Sequence, residues 1–329
     1  AAFKSYRKWL EGLVTGAKDD FAIGSGKFEA LLDKQKLGYD VGEIMELGKR
    51  YLDESRDSME RYARAMNEDY SVKDAFARVE ENVPESFHQA IDWYERAIEE
   101  SKSYVERKNL ATIPENEEIS VIETPSYLRH LVPFAAYIPP AKYDSNREGV
   151  YLVTPPETDE GLERFAFWSI RNTTVHEGYP GHHLQLSASM ESDDLFELLT
   201  HATETIEGWA HYCEEMMKNY GFDDTPEARL VQLRDRRWRA ARIIADIKLS
   251  TGKFSYNEGV EFMADTVGMN KGLAEAEVKR YTQNPSYQLS YLLGKHKIEQ
   301  LKGHVKEKMG GDYSDRFFHD RMIYGGSVP

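Results

Sequence analysis

Helical periodicity extends over most of the chain and constrains the fold more than any other feature of the sequence. Residues 40–70 place apolar side chains three or four positions apart, with charged residues between them, at Ile44, Leu47, Tyr51, Met59, Tyr62 and Met66. The stretch 84–109 repeats this pattern and begins with Pro84, which a helix tolerates in its first turn. Further helices are predicted over 159–175, 195–220, 225–250 and 284–309. The sequence therefore predicts a mainly α fold in which the apolar stripes form the core.

The sequence pattern changes from helical periodicity to strand-like runs between residues 117 and 155. The runs "EISVIETP" and "REGVYLVTPP" are β-branched and aromatic, and Pro, Gly and Asn bound them, so both are predicted strands. The segment between them, "VPFAAYIPPAKYDSN", is interpreted as a turn-rich connection. We find no repeat, low-complexity tract or flexible linker. The prediction is one domain over 1–329, with a helical part at 1–116, a small antiparallel β-sheet at 117–155 and the site helices at 156–329.

Composition and charge exclude several classes of protein. With 329 residues, 40% of them hydrophobic and 30% charged, the chain is a globular protein with a large core. No apolar run approaches the roughly 20 residues that a membrane-spanning helix needs. The formal net charge of −15 would repel nucleic acid and anionic membrane surfaces. We therefore expect no nucleic-acid partner and no membrane partner, and the sequence does not indicate an oligomeric state.

A single cysteine, Cys213, excludes an internal disulfide and a cysteine-rich zinc module. It is interpreted as a small buried apolar residue, and its lack of a partner fits a reducing compartment. The chain begins with "AAFKSYRKWLEGL" and lacks an initiating Met. The pattern of this stretch predicts an amphipathic helix that starts with the first residues. We expect the chain to be a fragment or a processed form of a longer protein, and we predict a cytoplasmic location.

The sequence "VHEGYPGHHLQ" (175–185) contains a His-Glu pair of the kind found in metallohydrolases. In the H-E-x-x-H motif, two histidines one helical turn apart face one metal, and the Glu is the general base toward metal-bound water. His176 and Glu177 match the first two positions, but the next histidines are His182 and His183. On an unbroken helix His182 would be rotated by about 240° and displaced by about 9 Å, and His183 would lie about 10 Å along the axis.

Pro180 and Gly181 interrupt that helix. Proline removes a helical hydrogen bond, and glycine adopts unusual dihedral angles. Two residues can therefore bulge out and return His182 to the side of His176. The alternative is a polar loop that contains three histidines and binds no metal.

A third metal ligand is available in "TETIEGWAHYCEE" (203–215). Glu207 lies 25 residues after His182, which is enough for one helix to end and a second to return antiparallel. Glu204 lies about one turn earlier, and Glu214, seven residues later, shares the face of Glu207. Two histidines and one carboxylate suit zinc and leave one position open for water.

Three motifs resemble, in the same order, those of the widespread prokaryotic family known as domain of unknown function 885. They are "HEGYPGHHLQ", "IEGWAHYCEE" and "RYTQNPSYQLSYLLGKHKI". The resemblance covers the whole chain and corresponds to roughly the C-terminal half of a full-length member. The family is placed among the gluzincin-type metallopeptidases. The resemblance thus implies a multi-helix metallopeptidase-like domain, with the small sheet beside the metal-binding helix, a Zn2+ cofactor and a peptide substrate.

The resemblance also implies a ligand set. Thimet-oligopeptidase-like enzymes of the same broad group place Gly directly before the second zinc histidine and the ligand Glu about 25 residues later. The Gly before His182 and the position of Glu207 match both features. His176, His182 and Glu207 are therefore the implied zinc ligands, with Glu177 as the general base. His183 is the alternative second ligand, and otherwise it supports the site or faces the substrate.

Substrate-binding groups are implied in the same way. Gluzincin-type enzymes usually bind an extended peptide along an edge strand beside the metal, and "GVYLVTP" (149–155), with Val150 and Tyr151, is the candidate strand. The alternative is an ordinary sheet edge. Gln185 either orients a ligand or lies on a helix surface.

A hydroxyl donor must stabilise the oxyanion of the tetrahedral intermediate. Tyr291 is the first candidate because it matches the Ser-Tyr of the family, and Tyr287 and Tyr281 follow. Arg242 is a candidate to bind a substrate carboxylate, or it pairs with Asp246 one turn further on.

This chain departs from the family pattern at two places. Ser250 stands where the family commonly has His in Asp-Thr-Gly-x-His. Ser286-Tyr287 replaces Gly-Gln, or the two patterns differ in register by one residue. These departures affect groups that would anchor the substrate or stabilise the transition state. The sequence therefore supports a zinc-dependent peptidase, with two alternatives: a helical module that keeps a degenerate site, and a metal-dependent hydrolase of a non-peptide amide.

Overall fold

A computed structural model describes residues 2–14, 16, 20–132, 134–143, 147–156 and 159–329. The α-helices in these ranges are α1 (Ala2–Val14), α2 (Ser25–Gln35), α3 (Val41–Met66), α4 (Val72–Val79), α5 (Phe87–Lys108), α6 (Phe167–Glu177), α7 (His182–Ser189), α8 (Leu195–Leu199), α9 (Thr203–Asn219), α10 (Pro226–Ser250), α11 (Tyr256–Val267), α12 (Lys271–Gln283), α13 (Ser290–Met309) and α14 (Asp315–Tyr324). The strands are β1 (Glu117–Glu123), β2 (Ala135–Ile138) and β3 (Arg147–Val153). The prediction of a mainly α protein with a small sheet is confirmed.

Local signals at the helix ends explain the boundaries of the long helices. The helices predicted over 40–70, 84–109 and 225–250 are confirmed as α3, α5 and α10. Asp40 begins α3 with a reciprocal capping box, and Thr225 caps α10 directly before a proline in the first turn. These side chains satisfy backbone N–H groups that have no partner within the helix.

The helix predicted over 195–220 is interrupted by tertiary contacts. It consists of α8 and α9, and between them the Ala202 N–H donates to the carbonyl oxygen of Ser327 at 2.8 Å. His201 and Ser327 also form an isolated parallel bridge. The C-terminal segment hydrogen-bonds to the backbone at residues 201 and 202. The backbone groups there are not available for helical hydrogen bonds, so the helix cannot continue from α8 into α9.

Short 3-10 helices precede two of the other predicted helices. Residues 159–165 form one before α6, and residues 287–289 form one before α13. A third lies at 310–312. Helix periodicity in the sequence does not distinguish these tighter turns from the α-helices that follow them.

The sheet is mixed, so the prediction of an antiparallel sheet is wrong. Its order is β1-β3-β2, with β3 parallel to β1 and antiparallel to β2. β2 lies in the segment 132–146 that was predicted as a connection, of which residues 133 and 144–146 lie outside the described residues. The chain turns back after β2 and inserts β3 between the two earlier strands, which makes β3 the central strand.

Helix α10 organises the hydrophobic core. Its buried residues contribute to three clusters: with α2, α3 and α13 through Ile243 and Ile247, with α11 and α12 through Leu249, and with α3 and α4 through Leu230. A fourth cluster joins the sheet to α5, α6, α7, α9 and α14. Within the described ranges, no helix combines the length and the apolar character required to cross a membrane.

Candidate metal centre

The break between α6 and α7 brings two histidines together. Helix α6 ends at Glu177 and α7 begins at His182, so four non-helical residues separate them. The imidazole rings of His176 and His182 lie 4.7 Å apart between centroids, at an interplanar angle of 85°. Both side chains are buried. The Pro-Gly break thus removes the geometric objection that an unbroken helix would raise.

Glu207 of α9 completes a three-residue cluster. Its Oε2 lies 3.6 Å from Nε2 of His176 and 3.5 Å from Nε2 of His182. Ligand atoms about 2.0–2.2 Å from a tetrahedral zinc are themselves about 3.3–3.6 Å apart, so these spacings suit such an ion. Burial alone would raise the pKa of Glu207, but the two histidines hold it well below its ordinary value. The carboxylate is therefore ionised, as a metal ligand must be.

Close packing of two helices positions Glu207. At the crossing of α9 and α13, a Cβ on Gly208 would lie 2.5 Å from the backbone carbonyl carbon of Gly294. A Cβ on Gly294 would lie 2.0 Å from the carbonyl oxygen of Glu204. Only glycine fits at either position, and the resulting backbone contact sets how far α9 stands from α13.

Glu177 also lies beside the two histidines, and the three residues together form a group that could hold a metal ion. One of its carboxylate oxygens and a nitrogen of each of His176 and His182 all lie within 4.8 Å of one another. Burial raises the pKa of Tyr94 and Tyr151, and the negative charge of Glu177 adds to this effect. Two carboxylates, Glu177 and Glu207, therefore face the histidine pair.

A buried carboxylate orients His176. Oε1 of Glu214 lies 2.7 Å from Nδ1 of His176, and Arg239 donates to the same oxygen at 3.1 Å. Burial alone would lower the pKa of His176, but its hydrogen bonds with Glu207 and Glu214 raise it to about 9. Such a carboxylate contact fixes the ring and directs Nε2 toward the metal position. The sequence placed Glu214 on the face of Glu207, but only as an alternative ligand.

His183 points away from the metal centre. Its side chain is fully buried, with Nε2 hydrogen-bonded to Glu117 of β1 and Nδ1 2.8 Å from the Tyr137 hydroxyl of β2. Glu117 also accepts hydrogen bonds from Tyr179 and Lys102. Because both ring nitrogens are engaged by Glu117 and Tyr137, His183 is not a member of the His176 cluster. No local sequence signal identifies Glu117 or Tyr137 as its partners.

Two tyrosines line the Glu207 side of the cluster. The Tyr287 hydroxyl donates to Oε1 of Glu207 at 3.1 Å, and the rings of Tyr287 and Tyr291 meet edge to face at 6.1 Å. Burial, the neighbouring tyrosine and the charge of Glu207 raise the pKa of Tyr287. Burial and Glu207 likewise raise the pKa of Tyr291. Both hydroxyls are therefore protonated near neutral pH and can donate hydrogen bonds.

Arg242 does not pair with Asp246, so that alternative is wrong. Its Nη2 donates to Glu277 at 2.9 Å, and its Nε donates to the Tyr281 hydroxyl at 3.1 Å. Asp246 instead accepts backbone N–H groups at residues 286 and 288 and the Ser250 hydroxyl at 2.9 Å. The two residues share a face of α10, but each is engaged by tertiary partners in place of the i,i+4 contact.

The edge-strand prediction for residues 149–155 is also wrong. β3 has a partner on both sides, since Val150 pairs with Ser120 of β1 and with Ile138 of β2. The Tyr151 side chain is fully buried. A strand whose backbone groups are already paired cannot accept a peptide as a further strand. Gln185 is buried, and its side chain donates to the Thr205 carbonyl of α9 at 3.1 Å.

The fold and the cluster together define a mainly α protein with a small mixed sheet and a buried histidine–carboxylate centre. The chain belongs to the family described as "Bacterial protein of unknown function (DUF885)", which matches residues 1–329. No curated protein shows significant similarity to the chain.

The solved structures that share this fold include two bacterial proteins. A "putative lipoprotein" from Colwellia psychrerythraea superposes with a TM-score of 0.88 at 22% sequence identity, over 100% of this chain and 58% of that one. A "putative lipoprotein of unknown function" from Shewanella oneidensis gives a TM-score of 0.82 at 22% identity, over 100% of this chain and 63% of that one. The chain thus spans less than two thirds of the length of either protein.

These descriptions contradict the predicted cytoplasmic location. Lipoproteins are tethered to a membrane by a covalently attached lipid, outside the cytoplasm, and both structural relatives are described as such. The prediction relied on the lone Cys213, which is buried and unpaired. One cysteine cannot form an internal disulfide in any compartment, so its presence does not discriminate between locations.

Proposed function

We propose that the chain carries the metal centre of a zinc-dependent peptidase. The observation that carries the proposal is the convergence of His176, His182 and Glu207, whose spacings of 3.5 and 3.6 Å suit tetrahedral zinc. The orientation of His176 by Glu214 supports it further. Zinc in such a site supplies Lewis-acid chemistry, which polarises a carbonyl and makes water more acidic.

The residues around the cluster suit the two proton transfers of amide hydrolysis. Glu177 lies against both histidines and is only partly buried. Its carboxylate takes a proton from the attacking water and passes it to the leaving amine. The protonated hydroxyl of Tyr291 can stabilise an oxyanion by hydrogen bonding, whereas that of Tyr287 already donates to Glu207.

An extended peptide can pair only with an outer strand of the sheet, since β3 is central. Of the two outer strands, β2 carries Tyr137, the partner of His183, which directly follows His182. We therefore propose β2 as the strand along which a peptide substrate lies.

Metal analysis and activity of matched variants test the proposal. We expect about one zinc per chain, lost in His176→Ala and kept in His304→Ala, which alters an exposed histidine of α13. Glu177→Gln should retain zinc but lose peptide hydrolysis by about 10²-fold or more, because its amide cannot accept the water proton. Glu118→Gln, an exposed carboxylate of β1, is the control.

Three outcomes would contradict the proposal. Wild-type protein without zinc would remove its basis. Zinc without hydrolysis of any member of a peptide library would favour a degenerate site or a non-peptide amide substrate. Hydrolysis that survives Glu177→Gln would exclude that residue as the base.

We also propose that the reaction takes place outside the cytoplasm, at a membrane to which the whole protein is tethered. The descriptions of the two structural relatives support this location. Recovery of the native protein in the cytosolic fraction of its cells would contradict it.

A further inference from the structure

Two arginines share a single carboxylate behind the tyrosines of the metal centre. Arg242 of α10 and Arg280 of α12 donate from Nη2 to Oε2 of Glu277 at 2.9 and 3.1 Å. The Tyr281 hydroxyl donates to the same oxygen at 2.5 Å. We name Arg242, Glu277 and Arg280 the arginine cluster. Two guanidinium charges against one carboxylate leave this cluster with a net charge of +1, within a chain whose formal net charge is −15.

The arginine cluster adjoins the metal centre through Tyr291. The guanidinium carbon of Arg242 lies 4.8 Å from the centre of the Tyr291 ring. On its other side Tyr291 contacts Tyr287, whose hydroxyl donates to Glu207. Burial and the charge of Glu207 raise the pKa of Tyr291, and the charges of Arg242 and Arg280 lower it. Tyr291 therefore lies between the proposed zinc ligand and the two cations.

Arg280 has hydrogen-bonding capacity that the described part of the protein does not use. Its Nε is buried and has no hydrogen-bond partner there. The side chain as a whole is 42% exposed, whereas that of Arg242 is 8% exposed. Arg242 and Glu277 thus form the buried base of the cluster, and Arg280 is the cation that a ligand from solvent can reach.

The chemistry of this arrangement favours an anionic ligand. A guanidinium group offers a planar fork of donors that matches a carboxylate, and such charge-assisted bonds are among the strongest in proteins. A partly buried cation without its own counter-ion costs free energy that an arriving carboxylate offsets. Glu277 contacts both arginines but carries a single negative charge, so one positive charge of the cluster remains for such a ligand to neutralise.

We propose that Arg280, held by Glu277 beside Arg242, binds a carboxylate of the peptide substrate on the Tyr291 side of the metal centre. This inference rests on the proposed peptidase function and specifies its substrate class. The carboxylate comes from one of two sources, the C-terminus of the peptide or an acidic side chain near the scissile bond. The first source makes the protein a carboxypeptidase-type enzyme, and the second makes it selective for acidic residues.

Two matched pairs of peptides distinguish these sources. The first pair is N-acetyl-hexaalanine with a free C-terminal acid and the same peptide as a C-terminal amide. The second pair carries the amide at the C-terminus and differs by one internal Asp or Asn. Dissociation constants are measured by calorimetry with zinc-loaded Glu177→Gln protein, so that binding is read without turnover, and kcat/KM is measured with the wild type.

We expect one pair to show a preference of about tenfold or more for the carboxylate member, the range for a hydrogen bond to a charged group. Arg280→Gln should abolish that preference, and Arg280→Lys should keep part of it, since lysine retains the charge but not the fork. Lys279→Gln removes an exposed charge one position away and should leave the preference intact. We measure the zinc content and the thermal unfolding of Arg280→Gln to check that the variant is folded. Both are expected to match the wild type.

The outcomes separate the two proposals. Equal binding of both members in each pair, or a preference that persists in Arg280→Gln, overturns the carboxylate site even if peptides are cleaved. A preference that depends on Arg280 in a protein that hydrolyses no peptide supports the carboxylate site and overturns the peptidase.

Discussion

At the level of single residues, the two neighbouring histidines His182 and His183 have different roles, and their contacts show the difference. His182 and His183 are adjacent in sequence and both buried, yet His182 faces Glu207 and His183 hydrogen-bonds to Glu117. The difference follows from their positions at the start of α7, where consecutive side chains point about 100° apart. One histidine faces α9, and the other anchors the helix to the sheet. Glu214 performs a comparable anchoring task for His176.

Glu214→Gln should weaken zinc binding without unfolding the protein. The amide keeps the shape of the side chain but removes the negative charge that orients His176 and raises its basicity. We expect zinc affinity to fall by about 10–100-fold, measured by competition with a chromogenic chelator. Glu204→Gln, a carboxylate one turn before Glu207 on the same helix, serves as the control. Equal affinities of Glu214→Gln and the wild type would show that Glu214 does not support the metal centre.

At the scale of elements, the joint between α6 and α7 depends on backbone contact. A Cβ placed on Gly181 would lie 1.9 Å from the carbonyl oxygen of His176 and 2.4 Å from that of Val175. The Gly181 N–H also donates to the Val175 carbonyl at 3.1 Å. The requirement for glycine at this joint is therefore steric.

Gly181→Ala should destabilise the fold and displace His182. The added methyl group meets backbone atoms that cannot rotate away, so we expect a loss of about 3 kcal/mol in the free energy of unfolding, together with weaker zinc binding. Gly303→Ala is the matched control, because Gly303 lies within α13 with nothing within 4 Å of the added Cβ. That change should stabilise the helix by about 0.5–1 kcal/mol. Denaturant unfolding of both variants measures the difference, and a neutral Gly181→Ala would contradict the steric argument.

At the scale of the whole molecule, α14 is tied to distant parts of the chain through a buried histidine. Nδ1 of His319 donates to the Leu110 carbonyl at 2.7 Å, and the Tyr212 hydroxyl lies 2.9 Å from Nε2. Since Nδ1 carries the proton, Nε2 accepts from the tyrosine. Burial lowers the pKa of His319 from 6.5 to about 4. The folded protein therefore holds this histidine neutral under conditions that protonate it in the unfolded chain.

The protein should lose stability in mild acid for this reason. Below pH 6.5 the unfolded chain takes up a proton at His319 that the folded chain does not, so the free energy of unfolding falls until about pH 4. The difference between a pKa of 6.5 in the unfolded chain and about 4 in the folded chain corresponds to a loss of roughly 3 kcal/mol in the free energy of unfolding. Chemical unfolding of wild type, His319→Gln and the exposed-site control His304→Gln across this range measures the effect. His319→Gln should reduce the acid slope, to which the buried His211 also contributes because burial lowers its pKa to about 4, and His304→Gln should not. Equal slopes in all three proteins would contradict the argument.

Periodicity and spacing predicted much of this architecture from sequence. The long helices follow from apolar stripes, and the approach of His182 to His176 follows from a Pro-Gly break within a short segment. Contacts made across the fold did not follow, because no local pattern encodes them. Glu117 meets His183 from 66 positions away, and Glu277 meets Arg242 from 35. Strand order was missed for the same reason, since alternation within a strand does not specify its neighbours.

The strand order has a consequence for the order in which the protein can form. β1 and β2 pair with β3 and not with each other, so neither has a hydrogen-bonded neighbour in the sheet until residues 147–153 have been synthesised. The strand that completes the sheet is followed, after one short 3-10 turn, by the helix that carries His176. During synthesis the ribosome therefore releases the last strand of the sheet shortly before the first histidine of the proposed zinc site. A nascent chain that stops before β3 has two unpaired strands and no surface on which Glu117 and Tyr137 can receive His183.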